Sequence, residues 1–490
     1  MRYILYSFLA IAVIVSSCHK QVLEIQPENL LSSDLAFSTP EKIEAVVLAS
    51  YEGLQSPEFI SGRVLVYVDL MGEDIFDRTN YFADLPRFNL LANSGIATNV
   101  WTAGYSSIAR ANRAMAGINA NISKLTATKA KELIAECKFV RAVANFYLVN
   151  FFGQPYAFTS DASHPGIPLI TKSFTSNDPG ANQPRSSVGA IYTSVITDLT
   201  EALADLPLEY DDLYPTKTRG TKAAASSFLS RVYLYKGDYA NAKKYSLDVI
   251  NGTYGAYALN STVDAAFLKA NDYQTVETIW SIPNNVNDNP NTNNALPMHY
   301  HPKGRADLAV SPSFLSIVTN PYFALDDKRR GMIIPGDVAT NTTAYKFTNK
   351  YTDITSRADW APIIRYAEIL LNYAEAQART ATGVDADAVA KLNLVRDRAR
   401  VSLPAYTVGS FANKDALVAA VLGERRIELA FEGHRFWDLM RTKANVTNKY
   451  DGDGTTLLPM QTYGAKKNIF PIPQIEIDKS IKVLVQNDGY

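Results

Sequence analysis

The chain has 490 residues, a formal net charge of −1 and 47% hydrophobic residues, so it can bury a large core, and disorder is excluded for most of its length. Lysine and arginine are scattered along it, which leaves no basic stripe for nucleic acid or for an anionic bilayer surface. The same neutral balance weighs against a strongly anionic glycan as ligand, since several sulfates or uronates would ask for clustered cations.

Residues 1–17 read as a secretion signal: Arg2, the apolar run from Tyr3 to Val15, then Ser16 and Ser17. The run is too short, and too abruptly followed by polar sequence, to be a permanent membrane span. Val15-Ser16-Ser17-Cys18 resembles the bacterial lipobox, in which the cysteine is acylated and becomes the new N-terminus. The alternative is a plain secretory signal with an incidental cysteine. No second long apolar run follows, so the mature chain is expected to be anchored to a membrane through lipid and not to span it. With Cys18 acylated, Cys137 is the one remaining thiol and no internal disulfide can form. Cys137 sits in the stripe Leu133, Cys137, Val140, Ala144, Leu148, Phe151, whose helical spacing predicts a buried small hydrophobe.

Helical periodicity then dominates four stretches. The first joins 40–55 with 99–119, where Trp101, Tyr105, Ile108 and Asn112 recur at helical spacing. The second, 129–152, stops at Gly153 with Pro155 beyond. The third joins 188–206 with 221–251, and around Gly237-Asp238-Tyr239 it resembles a tetratricopeptide hairpin, with glycine in the tight turn and Ala242 allowing close crossing. The fourth runs 362–381, 385–400 and 414–441. The fold class is therefore mainly α: a helical hairpin scaffold (36–60, 96–155, 185–252, 362–441) in one unit, 18–490, with long irregular insertions (61–95, 253–361, 442–490) carrying a few short strands. Loops on a rigid scaffold are where binding residues concentrate.

Charge is densest in Glu424-Arg425-Arg426-Ile427-Glu428 through Glu432, Arg435, Asp438 and Arg441. On one helix, Glu424, Glu428 and Glu432 would stack at four-residue spacing and need intervening cations, so the pattern reads as an ion-pair lattice, with Glu432–Arg435 and Asp438–Arg441 as expected pairs. A glycosidase dyad needs two carboxylates facing each other across a bond, and side-by-side acids do not supply that. His299-Tyr300-His301 is the sole histidine cluster, and it lacks the three or four ligands a zinc site requires. Asp451-Gly452-Asp453-Gly454 fits a polar turn, or a non-EF structural calcium site, since Lys449 and Met460 fall where an EF loop needs ligands. No phosphate loop or nucleophile elbow occurs, so no cofactor and no catalytic residue is expected.

Three segments together resemble the SusD/RagB family of nutrient-uptake lipoproteins: Glu132 to Gly153 followed by Gly166-Ile167-Pro168, then Glu424 to Arg441, and Phe470-Pro471-Ile472-Pro473-Gln474 with the ending Gln486 to Tyr490. The resemblance implies a tetratricopeptide-like half supporting an irregular half, placed as a lid on a SusC-like TonB-dependent transporter. Many members bind glycans and others bind peptides, and surface exposure is likewise implied by the family. His19-Lys20-Gln21 departs from it, lacking the acidic residues of many surface-export signals.

Sugar rings present C–H faces that pack on aromatic rings, while their hydroxyls require amide, carboxylate or guanidinium partners. The insertions carry that mixture, and the expected ligand residues are Asn80, Tyr81, Phe82 and Arg87 in one, Asn287, Asn293, His299, Tyr300 and Arg305 in another, and Trp360 as a further platform. A binding protein for an oligosaccharide or peptide is the first reading. A helical-repeat scaffold bound only to its partner protein and a glycoside hydrolase are the alternatives.

Overall fold

The computed structural model describes residues 33–490 apart from 83, 175–179, 181, 320–322 and 482. Cys18 and the lipobox lie outside the described residues. The longer helices are α1 (Pro40–Gln55), α2 (Arg63–Met71), α3 (Gly95–Ala120), α4 (Ala127–Phe152), α5 (Val188–Asp205), α6 (Lys222–Lys236), α7 (Tyr239–Ile250), α8 (Tyr366–Thr380), α9 (Ala386–Ala399), α10 (Lys414–Glu428) and α11 (Arg435–Arg441). Thr39, Thr126, Ser187, Thr221, Asp238, Asp385 and Asn413 each accept a backbone N–H in the first turn of the helix that follows, which places those starts.

The scaffold helices pack in chain order, α1 on α3, α3 on α4, α4 on α5, α5 on α6, α6 on α7, α7 on α8, and α8 on both α9 and α10, while α2 packs on α11. The fold is mainly α, a run of hairpins around one continuous apolar cluster that reaches from Phe37 to Leu484. Gly237 turns the α6–α7 hairpin at φ +78, in the left-handed region that favours glycine. Behind it Ala242 is fully buried and the Ser230 and Ser246 hydroxyls meet at 2.6 Å, so small residues set the close crossing. Cys137 is buried within α4, and burial pushes its thiol well above the usual range. Trp280 is buried too, edge-on to Phe139 at 5.1 Å with its indole N–H on the Thr218 carbonyl.

Three element readings need correction. Residues 62–95 are not wholly irregular, because they open with α2, whose run Val64 to Met71 is buried on every side and so lacks the alternation that marks a surface helix. Residues 361–365 form a strand before α8 begins. The stretch 414–441 is broken: Phe431 (φ 66) and Gly433 (φ 75) take left-handed conformations, so Glu432 leaves the helix that Glu424 and Glu428 share. A Cβ at Gly433 would lie 3.0 Å from the Leu65 Cα, so the break is also a close approach to α2.

The strands pair as antiparallel ribbons, β2 (Pro165–Pro168) with β3 (Arg185–Ser187), β6 (Ile333–Pro335) with β7 (Lys346–Thr348), and β4 (Thr278–Ile282) with β8 (Ala361–Arg365). The ribbon that positions the site pairs β1 (Ile75–Asp77) with β5 (Leu308–Val310), Asp77 opposite Leu308. It fastens the first insertion to the second and brings the loop after β1 beside the loop before β5.

Candidate functional site

The loop after β1 is shaped by Asp77, whose carboxylate accepts the backbone N–H groups of Tyr81 (3.2 Å) and Phe82 (2.6 Å). Asn80 takes φ 59, a conformation asparagine tolerates better than most side chains. The resulting bend sends neighbouring rings opposite ways. Phe82 turns into the core against Tyr67 and His299, while Tyr81 remains 41% exposed.

Two arginines hold Tyr81. Arg63, the first residue of α2, donates from Nη2 to the Tyr81 hydroxyl (2.9 Å) and to the Asn293 carbonyl (3.0 Å), and from Nε to the Asn294 side chain. Arg305 lies with its guanidinium carbon 4.2 Å from the Tyr81 ring centroid, and donates to Asn293 Oδ1 (2.8 Å) and Asp307 Oδ2 (2.9 Å). An exposed ring, an amide and two guanidiniums thus converge, the chemistry a polyol or a peptide backbone requires. Beside them Arg87 donates to Asn80 Oδ1 (3.0 Å) and pairs with Asp451 at 2.7 Å.

The structure therefore brings Tyr81, Asn293 and Arg305 together, with Asn80 and Arg87 on the adjoining turn. Asn287 is exposed farther along the 285–293 loop, where Asn285, Asn289 and Asn291 each accept a backbone N–H two residues on. Much of the asparagine richness there is turn chemistry. Four expected ligand residues are corrected, because each is spent in the interior. Phe82 is core. His299 is fully buried with Nδ1 2.8 Å from Asp307, on a short helix (Leu296–Tyr300), and burial lowers its pKa. Tyr300 is buried with its hydroxyl 2.5 Å from Asp69 Oδ2. Trp360 stacks on Tyr273 at 5.6 Å and donates to the Asn284 carbonyl. Arg63 and Arg357, which donates from Nη1 to Thr292 Oγ1, were missed: their partners at this face, Tyr81, Asn293, Asn294 and Thr292, lie far along the chain, and no spacing rule connects them.

A cavity of about 610 Å³ lies elsewhere, along α3 and the C-terminal segment, lined among others by Trp101, Tyr105, Pro168, Ile170, Glu476 and Lys479. Its rings offer little to a ligand. Trp101 is 4% exposed, and the Tyr105 hydroxyl donates to the Pro168 carbonyl at 2.7 Å. Chemistry therefore favours the Tyr81 face over the roomier cleft.

The charged lattice forms, with different partners than the spacing suggests. Arg365 pairs with Glu277 (2.5 Å), Glu432 (2.7 Å) and Glu428 (3.2 Å), Arg398 with Glu277 and Glu428, Arg329 with Glu424 and Asp327, and Lys350 with Glu432. Glu432 does not meet Arg435, which turns to Glu73, whereas Asp438–Arg441 forms at 2.7 Å. The surrounding cations hold Glu428 and Glu432 below the usual carboxylate range despite burial. The void beside Glu428, Lys350 and Arg329 is about 20 Å³, room for a water and not for a sugar ring. In the 451–454 turn, Asp453 accepts from Thr455 and Thr456 while Asp451 holds Arg87. Among the described residues no group of three or more His, Cys, Asp or Glu is placed to hold a metal ion.

Two family models match the chain, one described as the SusD family over residues 335–490 and one as starch-binding, associating with the outer membrane, over residues 23–234. The chain belongs to the SusD/RagB family. Among its relatives is SusD-like protein P2 of Formosa agariphila, 25% identical over 99% of both chains. A SusD superfamily protein from Bacteroides fragilis superposes with a TM-score of 0.80 at 25% identity, over 91% of this chain and 99% of that one. A putative sugar binding protein from Bacteroides vulgatus gives 0.78 at 26% identity, over 92% and 99%. The likeness to solved SusD superfamily folds thus extends over about nine-tenths of the chain, while the family models match residues 23–234 and 335–490.

Proposed function

We propose that this SusD/RagB protein is a cell-surface glycan-binding lipoprotein that captures an oligosaccharide at the Tyr81 face and hands it to a SusC-like TonB-dependent transporter, without catalysing a reaction. The observation that carries this reading is the exposed Tyr81 ring, fixed beside Asn293, Arg63 and Arg305 on a rigid strand pairing. The sugar-binding description of a structural relative and the outer-membrane description of a matching family model support it. Residues 1–17 act as the signal peptide and Cys18 carries the lipid. No helix among the described residues is long and apolar enough to cross a membrane. A peptide ligand is the second reading, favoured by the same amide and guanidinium donors.

The test is purification of the tagged protein in mild detergent from its own outer membrane. The transporter barrel should co-purify, and Cys18→Ala should lose palmitate labelling and membrane retention. Repeated recovery of a lone monomer, or unchanged labelling in that variant, would contradict the proposal.

A further inference from the structure

The net charge of −1 conceals a local excess of cations around the turn that carries Asn293. Three guanidiniums hold this turn. Arg63 donates to the Asn293 carbonyl and the Asn294 side chain, Arg305 to Asn293 Oδ1, and Arg357 from Nη1 to Thr292 Oγ1 (3.1 Å). Among the described residues neither Arg63 nor Arg357 forms an ion pair, and the buried Arg357 Nε has no hydrogen-bond partner. Arg305 alone of the three meets a carboxylate, Asp307, which it shares with His299 and Thr79.

Flanking residues add to the imbalance. Arg78 spends Nε on the Ala306 carbonyl, and Lys303 is exposed; neither is ion-paired among the described residues. Two carboxylates act on these cations: Asp307, which is shared with His299, pairs with Arg305, and Glu58 acts on Arg63 without hydrogen-bonding it and offsets part of the excess; the nearby Asp77 is committed to the backbone of Tyr81 and Phe82. A guanidinium satisfied by neutral acceptors keeps its full charge, and a carboxylate or sulfate arriving beside it gains a forked, charge-assisted contact that a hydroxyl cannot match.

We propose that the ligand of the Tyr81 face is an acidic saccharide, one bearing carboxylate or sulfate groups on its rings. The inference rests on the reading of that face as the glycan site. It also reverses the expectation drawn from the neutral overall charge, because recognition depends on the local field and not on the sum over the chain.

The experiment is affinity gel electrophoresis of the purified chain through matched polymers: polygalacturonate against its methyl ester, and a sulfated galactan against its desulfated form. Retardation should occur in at least one acidic gel and be lost in its neutral counterpart, and which acid retards the protein separates carboxylate from sulfate. The Arg63→Gln/Arg357→Gln variant should lose about tenfold in retention, Arg63→Lys/Arg357→Lys should keep most of it, and Lys131→Gln, at a distant exposed cation, should change nothing. Melting temperatures within a few degrees of wild type certify the fold. Binding of a neutral polymer that is abolished by Tyr81→Ala would leave the site standing and overturn the acidic class, as would retardation by none of the four. Acidic retention unchanged in both the Tyr81→Ala and the glutamine variants would overturn the site itself.

Discussion

The Arg305 guanidinium carbon lies 4.2 Å from the centroid of the Tyr81 ring, although the two residues belong to insertions separated by most of the helical scaffold. The contact exists because β1 and β5 pair with Asp77 opposite Leu308, which sets the loop after one strand against the loop before the other. Asp307, just ahead of β5, then anchors Arg305, and Asp77 at the end of β1 anchors the backbone of Tyr81. The exposed ring is consequently a preformed feature, and little order has to be gained when a ligand arrives.

Tyr300 belongs to the core and not to the exposed Tyr81 face, so Tyr300→Ala should destabilise the fold by about 3–5 kcal/mol, the range for large-to-small changes at buried aromatic positions. It opens a cavity against Tyr351 and removes the hydroxyl partner of Asp69. Urea denaturation reads the effect as a lowered midpoint. A midpoint equal to wild type would put Tyr300 back on the surface.

Asp69 gives a pH signature. Burial pushes its pKa up from 3.8 to about 8, so near neutrality the folded carboxyl is protonated while the unfolded one is ionised. The native state then binds more protons than the unfolded state between about pH 4 and 8, and this group's contribution to stability must fall as pH rises through that window. Asp69→Asn presents an amide able to donate to the Tyr300 oxygen while its carbonyl accepts from the Gly433 N–H, as Asp69 Oδ1 does at 3.0 Å. That variant should fold and show a flatter stability profile from pH 4 to 8. Identical profiles for the two proteins would mean that Asp69 is ionised in the fold.

Arg365 is the hub of the internal lattice, joining β8 to Glu277, Glu428 and Glu432, all with side chains at most 3% exposed. Arg365→Met leaves these carboxylates short of a buried cation and should cost about 3–5 kcal/mol. Thermal unfolding is the readout, and a melting temperature within a degree or two of wild type would show that the lattice is slack.

The helical scaffold could be read from the chain because its signals are local. α1 was placed to the residue, and the Gly237 turn, the Gly153 stop and the burial of Cys137 follow from periodicity and turn chemistry. The break at Phe431–Gly433 escaped notice because Gly433 reports a close approach to Leu65, a partner no window contains. The site was legible in half. Tyr81, Asn293 and Arg305 could be named from residue type, but composition cannot say which aromatics face inward, and Phe82, Tyr300 and Trp360 are committed to core contacts made across the sequence. Net charge cannot report such a locality, since it averages over a fold that gathers Arg63, Arg305 and Arg357 at one turn.

The most direct test of the binding face is titration calorimetry of wild type and Tyr81→Ala with an oligosaccharide prepared from whichever polymer retards the protein in the gel series. Tyr81 is exposed and fixed by side chains that fold without it, so the variant should melt as wild type does. Loss of the ring's contact, with the positions of Arg63 and Arg305 relaxed around it, should weaken binding about tenfold, roughly 1.4 kcal/mol. Wild-type affinity in a folded Tyr81→Ala protein would contradict the account and place recognition elsewhere on the molecule.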